Sequence, residues 1–276
     1  MRLGGPVSGY SDPQAWVDRL KASGYTAAYF PLNSDDDPEL VEAYVRAARR
    51  NDILIAEVGA WSNPLSPAEE ERREAIALCK RQLALADRVG ARCCVNISGS
   101  RGSSWAGPHP LNMTRETLDL IVKTVREIID SVQPTRTYYT LETMPWMYPD
   151  STDSYLDLIS RIDRERFAVH FDPVNLVSSP RLYYSNRDLI SDFVDRLGPY
   201  IKSCHAKDVS LSERPLVHLD EVRPGLGNLD YATLLKKLEA LDRDTPLMLE
   251  HLSSDRQYRE AASYIREVAQ RMGITL

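Results

Sequence analysis

The chain has 276 residues, is 43% hydrophobic and 27% charged, and carries a formal net charge of −6. This composition supports a sizeable core and excludes a fibrous or disordered polymer. The acidic balance argues against nucleic acid or an anionic membrane surface as partner, because both need clustered Lys and Arg. No stretch approaches the ~20 apolar residues of a bilayer-spanning helix, and the first residues lack the charged-then-apolar order of a secretory signal. Four cysteines without a CxxC pair fit reduced thiols and no disulfide framework, so the expected location is cytoplasmic.

One rhythm runs through the chain. Apolar, β-branched runs occur at 1–6, 26–32, 53–60, 91–97, 137–144, 167–173, 201–207 and 247–252. Amphipathic stretches follow them in turn: DPQAWVDRLKASG, PELVEAYVRAARRND, PAEEERREAIALCKRQLALADRVG, TRETLDLIVKTVREIID, DSYLDLISRID, NRDLISDFVDRLG, DYATLLKKLEALD and DRQYREAASYIREVAQRMG. Their apolar positions recur at three- and four-residue spacing, as one buried helix face requires. Strand–helix alternation implies parallel pairing through crossovers, and eight units in roughly 250 residues is the size of a (β/α)8 barrel. A doubly wound open sheet is the alternative, but the turn after the first run, GGPVSGYSDP, is not GxGxxG. The long non-periodic stretches 98–113 and 209–228 then fall on the C-terminal face, where barrel enzymes build their sites.

Strands buried in a parallel barrel should be apolar, yet several of these runs end in ionisable residues. They carry Glu57, Glu142, His170 with Asp172, His205 with Lys207, and Glu250 with His251. Side chains alternate with period two, so His170 and Asp172 share a face, as do His205 and Lys207, while His251 should point away from Glu250 towards a helix. Glu142, Asp172, His205 and Glu250 each lie about one strand–helix unit from the next, so a barrel brings them to one point. Three carboxylates and one imidazole suit a hard divalent ion, Mn2+ first, with Mg2+ or Co2+ as alternatives. The competing reading pairs each with Lys or Arg at the barrel mouth. Trp61, Trp105 and Trp146 lie just beyond the third, fourth and fifth runs, where aromatic faces can stack on a sugar ring. Asn63, Asn96, Ser98, His109 and Asn175 are candidate polar partners, and His170 is a candidate substrate or supporting residue.

Glu142, the stretch Asp172-Pro-Val-Asn175, Ser-Cys-His205-Ala-Lys207-Asp208, the Pro-Gly225-Leu-Gly227-Asn-Leu-Asp230-Tyr segment and Leu-Glu250-His together resemble the xylose-isomerase-like TIM barrels, the sugar phosphate isomerase/epimerase superfamily. The resemblance spans essentially 1–276 as one barrel domain. It implies one divalent ion held by Glu142, Asp172, His205 and Glu250, with the two glutamates also acting as acid and base on a carbohydrate substrate. Two departures stand out: Asn175 replaces a histidine usual in ketose 3-epimerases, and Lys207 stands where they place an arginine nearby. Substrate gripping should therefore differ. The GPHP loop bearing His109 is loosely similar to barrel subunits that cleave 3-keto-C-glycosides.

The expected chemistry is proton abstraction alpha to a carbonyl, giving an enediolate. Lys207, on the face of His205, would donate to the developing oxyanion, unless it is tied up by Asp208 or Glu142. His109 and Trp105 should line the pocket, with Trp61 and Trp146 in its apolar wall. The leading expectation is a metal-dependent isomerase or epimerase of a keto sugar or keto-polyol. The alternative is a lyase or deglycosidase eliminating from a 3-keto-glycoside. A metal-free glycosidase, an abasic-site endonuclease and a non-catalytic sugar-binding subunit rank lower, and a second copy or a partner subunit stays open as a further partner.

Overall fold

The computed structural model describes residues 1–276. Its elements follow in chain order: β1 (Arg2–Gly4), α1 (Pro13–Ala22), β2 (Ala27–Tyr29), α2 (Pro38–Arg50), β3 (Leu54–Gly59), α3 (Glu69–Val89), β4 (Cys93–Asn96), α4 (Arg115–Val132), β5 (Tyr139–Glu142) and α5 (Thr152–Ile162). Then come β6 (Phe167–Phe171), α6 (Pro180–Tyr184), α7 (Asn186–Leu197), β7 (Ile201–Ala206), β8 (Asp208–Leu211), β9 (Leu219–Val222), α8 (Tyr231–Glu239), β10 (Pro246–Leu249) and α9 (Asp255–Met272). Eight parallel strands close in the order β1-β10-β7-β6-β5-β4-β3-β2, so the chain forms a (β/α)8 barrel. No helix is long and apolar enough to cross a membrane.

The helices form where the apolar stripes predict them. In α4, Leu118, Ile121, Val125, Ile128 and Ile129 are buried, and the Thr114 side chain accepts from the Thr117 amide at its start. The buried stripes and the outward strand residues merge into one apolar cluster of 61 residues. Tyr155 of α5 reaches into the β5–β6 seam. Its hydroxyl lies 2.6 Å from the Leu141 carbonyl and 3.0 Å from that of Ala168, and 3.3 Å from the amides of Leu141 and His170.

Two irregularities position the site. Between β2 and β3 the pairing passes from Ala28–Ile55 to Tyr29–Glu57, so Ala56 is an extra residue in β3. Ala56 packs on Ala27 and Met248, while Glu57 also reaches into the barrel to His170. A bulge of this kind re-aims a side chain that strict alternation would turn outward. Between β6 and β7 the pairing likewise passes from Val169–Ile201 to His170–Ser203.

The long stretch after β7 is not irregular throughout: β8 and β9 pair antiparallel, Asp208 with Val222 through Leu211 with Leu219, as a ribbon over the mouth. Asp208 anchors it. Its two carboxylate oxygens accept from the amides of Val209, Gly225, Gly227 and Leu229 at 2.9–3.0 Å. A Cβ on residue 227 would lie 2.3 Å from Asp208 Oδ1 and from the Val209 carbonyl, so only glycine fits this close approach. The ribbon and the short α6 are the elements that the apolar rhythm did not disclose.

Tyr155→Phe leaves the ring packing intact and strips the hydroxyl from these buried backbone groups. It should cost about 1–3 kcal/mol in urea unfolding. A loss below ~0.5 kcal/mol would show that the hydroxyl does not hold the β5–β6 seam.

Candidate metal centre and cavity

β5 ends in Glu142, β6 leads into Asp172, β7 carries His205, and Glu250 follows β10. The barrel brings these four together at its C-terminal end. His205 Nδ1 lies 2.8 Å from Glu250 Oε1, 2.9 Å from Glu142 Oε1 and 3.7 Å from Asp172 Oδ2. One ligand atom from each residue falls within 4.8 Å of all the others. The supports are specific. Asp172 Oδ1 accepts from the amides of Val174 and Asn175, and the Thr143 hydroxyl bonds the Asp172 carbonyl and amide. Asp172 Oδ2 and Glu250 Oε1 are buried, and what faces them is charged: His205 and the Lys207 ammonium.

Charge is dense here. Lys207 Nζ sits 2.6 Å from Glu250 Oε1, 2.8 Å from Asp172 Oδ2 and 3.8 Å from Glu142 Oε1. Its partners are thus Asp172 and Glu250 before Glu142, and Asp208 is spent on its own backbone contacts. Burial raises the Glu142 carboxyl despite His205 and Lys207 beside it. Burial pushes Glu250 the same way, but His205 and Lys207 outweigh it and hold that carboxyl at about 2. Asp172 lies well below the carboxylate range: burial opposes the shift, and Lys207 and His205 prevail. Burial disfavours charge on His205 and Lys207, but the surrounding carboxylates raise both. Three carboxylates and one imidazole whose ligand atoms all lie within 4.8 Å of one another fit a hard divalent ion of the Mn2+, Mg2+ or Co2+ type.

Above the cluster opens a cavity of about 650 Å³, walled by Trp61, Trp105, Trp146, Ile97, Ala106 and Met144, with Asn175, Lys207, Glu142, Glu221, Glu250 and His251 as its polar lining. The Trp61 ring lies against Gly59, where a Cβ would come within 2.6 Å of the indole nitrogen. Trp146 Nε1 donates to the Ala106 carbonyl at 2.7 Å and ties the loops after β4 and β5 together.

Four expectations need correction. His109 is not in the cavity wall: its Nδ1 accepts from the Leu111 amide, so the ring caps the short helical turn Pro110–Met113. Asn96 faces outward, bonded to Ser62 and to Cys79 of α3, because it lies on the face of β4 opposite Cys93. His170 is fully buried beneath the cluster and bonds Glu57, so it cannot touch a substrate. His251 does not turn to a helix. Its φ of 57° breaks the strand alternation, and its ring lines the mouth beside Glu221 and Glu250.

Glu57 and Ser203 are inner residues that were not singled out for a role, and Glu221 comes from the unforeseen ribbon. A glutamate inside the apolar run ILIAEVG was the available signal for the first.

A closed (β/α)8 barrel with three carboxylates and an imidazole converging at its C-terminal end is the architecture of a barrel built around a candidate divalent-ion centre. A family model described as the xylose isomerase-like TIM barrel matches residues 17–268, and the chain belongs to that family. No curated protein matches the chain. Among solved structures, it resembles a xylose isomerase-like TIM barrel protein from Mycobacterium smegmatis in complex with magnesium (16% identity, 98% and 97% of the two chains covered, TM-score 0.68). It also resembles D-psicose 3-epimerase from Clostridium cellulolyticum H10 (12% identity, 100% of both chains, TM-score 0.72). A third is 3-keto-D-glucoside 4-epimerase from E. coli (14% identity, 97% and 99%, TM-score 0.68). At these identities the likeness is one of fold.

The shifts of Glu250 and Asp172 set an acid limit on the metal-free protein. Both carboxyls lie lower in the folded chain than in the unfolded one, so their contribution is present above the ordinary carboxylate range and lost as pH falls through it, for Glu250 between 4.5 and about 2. Glu142, shifted upward, has the opposite sign. Urea titrations across this window should show a shallower loss in Glu250→Gln than in the unaltered protein. Parallel slopes would show that Glu250 is not held low.

Proposed function

We propose that the chain is a divalent-metal-dependent isomerase or epimerase acting on a keto sugar or keto-polyol. The observation that carries this is the convergence of Glu142, Asp172, His205 and Glu250 at the foot of a tryptophan-walled cavity. These four would hold the ion, with Mn2+ preferred over Mg2+ or Co2+. Bound there, it would supply Lewis-acid polarisation of a carbonyl and its neighbouring hydroxyl.

The chain's own groups do the rest. Glu142 ends β5 and Glu250 follows β10, and β6 and β7 lie between those strands in the barrel, so the two carboxylates reach the cluster from different sides. One removes the proton alpha to the carbonyl and the other returns it. Return to the same carbon from the opposite face inverts the centre, and return to the adjacent carbon isomerises. Lys207 holds a positive charge beside both carboxylates and stabilises the oxyanion left by proton removal. The indoles of Trp61, Trp105 and Trp146 offer flat faces to a sugar ring, and Asn175 a polar contact. The sugar epimerases among the structural neighbours support the class.

A second reading is elimination from a 3-keto-glycoside, which shares the first proton transfer. The size of the cavity favours it: about 650 Å³ with three large apolar faces leaves room for an aglycone beside the sugar.

Metal analysis after dialysis against Mn2+ should find one equivalent in the unaltered protein and none in Asp172→Ala or His205→Ala. Full metal content in both variants would remove these residues from the centre.

A screen of keto sugars, keto-inositols and 3-keto-glycosides in D2O, read by NMR after metal removal, should show deuterium entering the carbon alpha to the carbonyl. Glu142→Gln and Glu250→Gln should each lose that exchange by about 100-fold or more, the scale of a removed general base, and far more than they lose metal. Undiminished exchange in both would place the base elsewhere.

A further inference from the structure

One strand pleat below the candidate metal centre lies a second, fully buried polar group. The carboxylate of Glu57 meets His170 Nε2 at 3.0 Å and the Ser203 hydroxyl at one oxygen, and His205 Nε2 at 3.4 Å with the other. The two imidazoles touch edge to face, 4.1 Å between centroids. Glu57 is 1% exposed, and His170, Ser203 and His205 are wholly buried.

An ionised carboxylate only accepts hydrogen bonds. Glu57 meets three groups that can donate, the imidazoles of His170 and His205 and the Ser203 hydroxyl, and it is the acceptor that serves all three. Both Nε2 atoms facing it must therefore carry protons. When His205 gives up its second proton, as ligation of an ion requires, the lone pair is left on Nδ1, the nitrogen that lies 2.8 Å from Glu250 and 2.9 Å from Glu142. A metal-ligating histidine is commonly oriented by a carboxylate on its other ring nitrogen.

We infer that Glu57 is a positioning residue that fixes which nitrogen of His205 is presented to a divalent ion, an assignment that rests on the metal reading proposed above. The bulge at Ala56 is the device that brings it there, by turning the Glu57 side chain into the barrel. Glu57, His170 and His205 also stand close enough to hold an ion themselves. Their geometry favours hydrogen bonding instead: one oxygen of Glu57 is shared by His170 and Ser203, and His205 cannot offer lone pairs on both nitrogens while neutral.

Glu57→Gln tests the assignment because the side chain keeps its shape but has one accepting and one donating end. The oxygen is best placed where two donors, His170 and Ser203, converge. The amide group then faces His205 Nε2 and drives the His205 proton onto Nδ1, the nitrogen a metal needs. Mn2+ affinity by calorimetry should fall by about 10–100-fold, the usual range for such supporting groups. At saturating Co2+ the visible spectrum of Glu57→Gln should differ from that of the unaltered protein, since the His205 ligand has lost the carboxylate that sets its orientation and basicity. Ser203→Ala, which leaves the bond to His205, should keep affinity within about threefold. A variant that is merely less stable would not change the Co2+ spectrum.

The unaltered protein supplies a test that does not depend on a variant folding. Nitrogen NMR of its Zn2+ form should show one equivalent of Zn2+, His205 ligating through Nδ1, and Nε2–H on both His170 and His205. Ligation through Nε2, or a second equivalent between Glu57 and the two imidazoles, overturns the assignment. Unchanged Mn2+ affinity and Co2+ spectrum in Glu57→Gln overturn it too, while leaving the metal reading standing. No metal binding by the unaltered protein overturns both.

Discussion

Ionised groups buried in a barrel must neutralise one another, and that requirement organises this molecule. Glu57, Glu142, Asp172 and Glu250 place four carboxyls within a few ångströms, with His205 and Lys207 among them. Charges taken out of water cost far more than isolated surface pairs unless each lone pair and proton is met. The surrounding structure meets most of them. Thr143 and the amides of Val174 and Asn175 hold Asp172, and Ser203 and His170 hold Glu57. The remaining two oxygens, Asp172 Oδ2 and Glu250 Oε1, are met by the Lys207 ammonium at 2.8 and 2.6 Å, so a cationic side chain balances this part of the cluster.

The scaffold separates rigidity from reach. The strands hold the charged groups, and the loops beyond them hold the tryptophans. Trp146 bonds the loop after β4 through Ala106, and Tyr148 bonds the same loop at Met113, so two of the cavity's walls are joined. The facing wall is the β8–β9 ribbon, which owes its place to Asp208. That residue's carboxylate gathers four backbone amides into a turn, so the aspartate beside Lys207 serves architecture and the lysine serves the centre.

Most of the barrel was legible in the sequence because a strand buried on both sides is apolar and short, and its helices carry a different period. The same contrast exposed Glu142, Asp172, His205 and Glu250, since an ionisable residue stands out in such a strand. The ribbon escaped because β8 and β9 have only four residues each, too few for a pattern to stand out from the loop around them, and α6 is too short for a stripe. Asn96 was readable in principle: it is three residues from Cys93, so alternation puts the two on opposite faces. His251 was not readable, because a single left-handed residue inverts the face that alternation assigns. Glu57 stood out as an ionisable residue in an apolar run, but its direction was not readable for a related reason, since an inserted residue shifts the phase of β3. His109 fell in a loop, where no periodicity specifies direction.

Seen along the chain, the four centre residues all come from the second half of the barrel, between β5 and β10, and the first half contributes Trp61 and Trp105 to the wall. Glu57 crosses that division to the centre, reaching partners 113, 146 and 148 residues away. A half-barrel assembled from β5 onward would collect three carboxylates and an imidazole with nothing to tell one ring nitrogen from the other. The centre therefore becomes complete only when the barrel has closed on itself, which makes assembly of the fold a precondition of its chemistry.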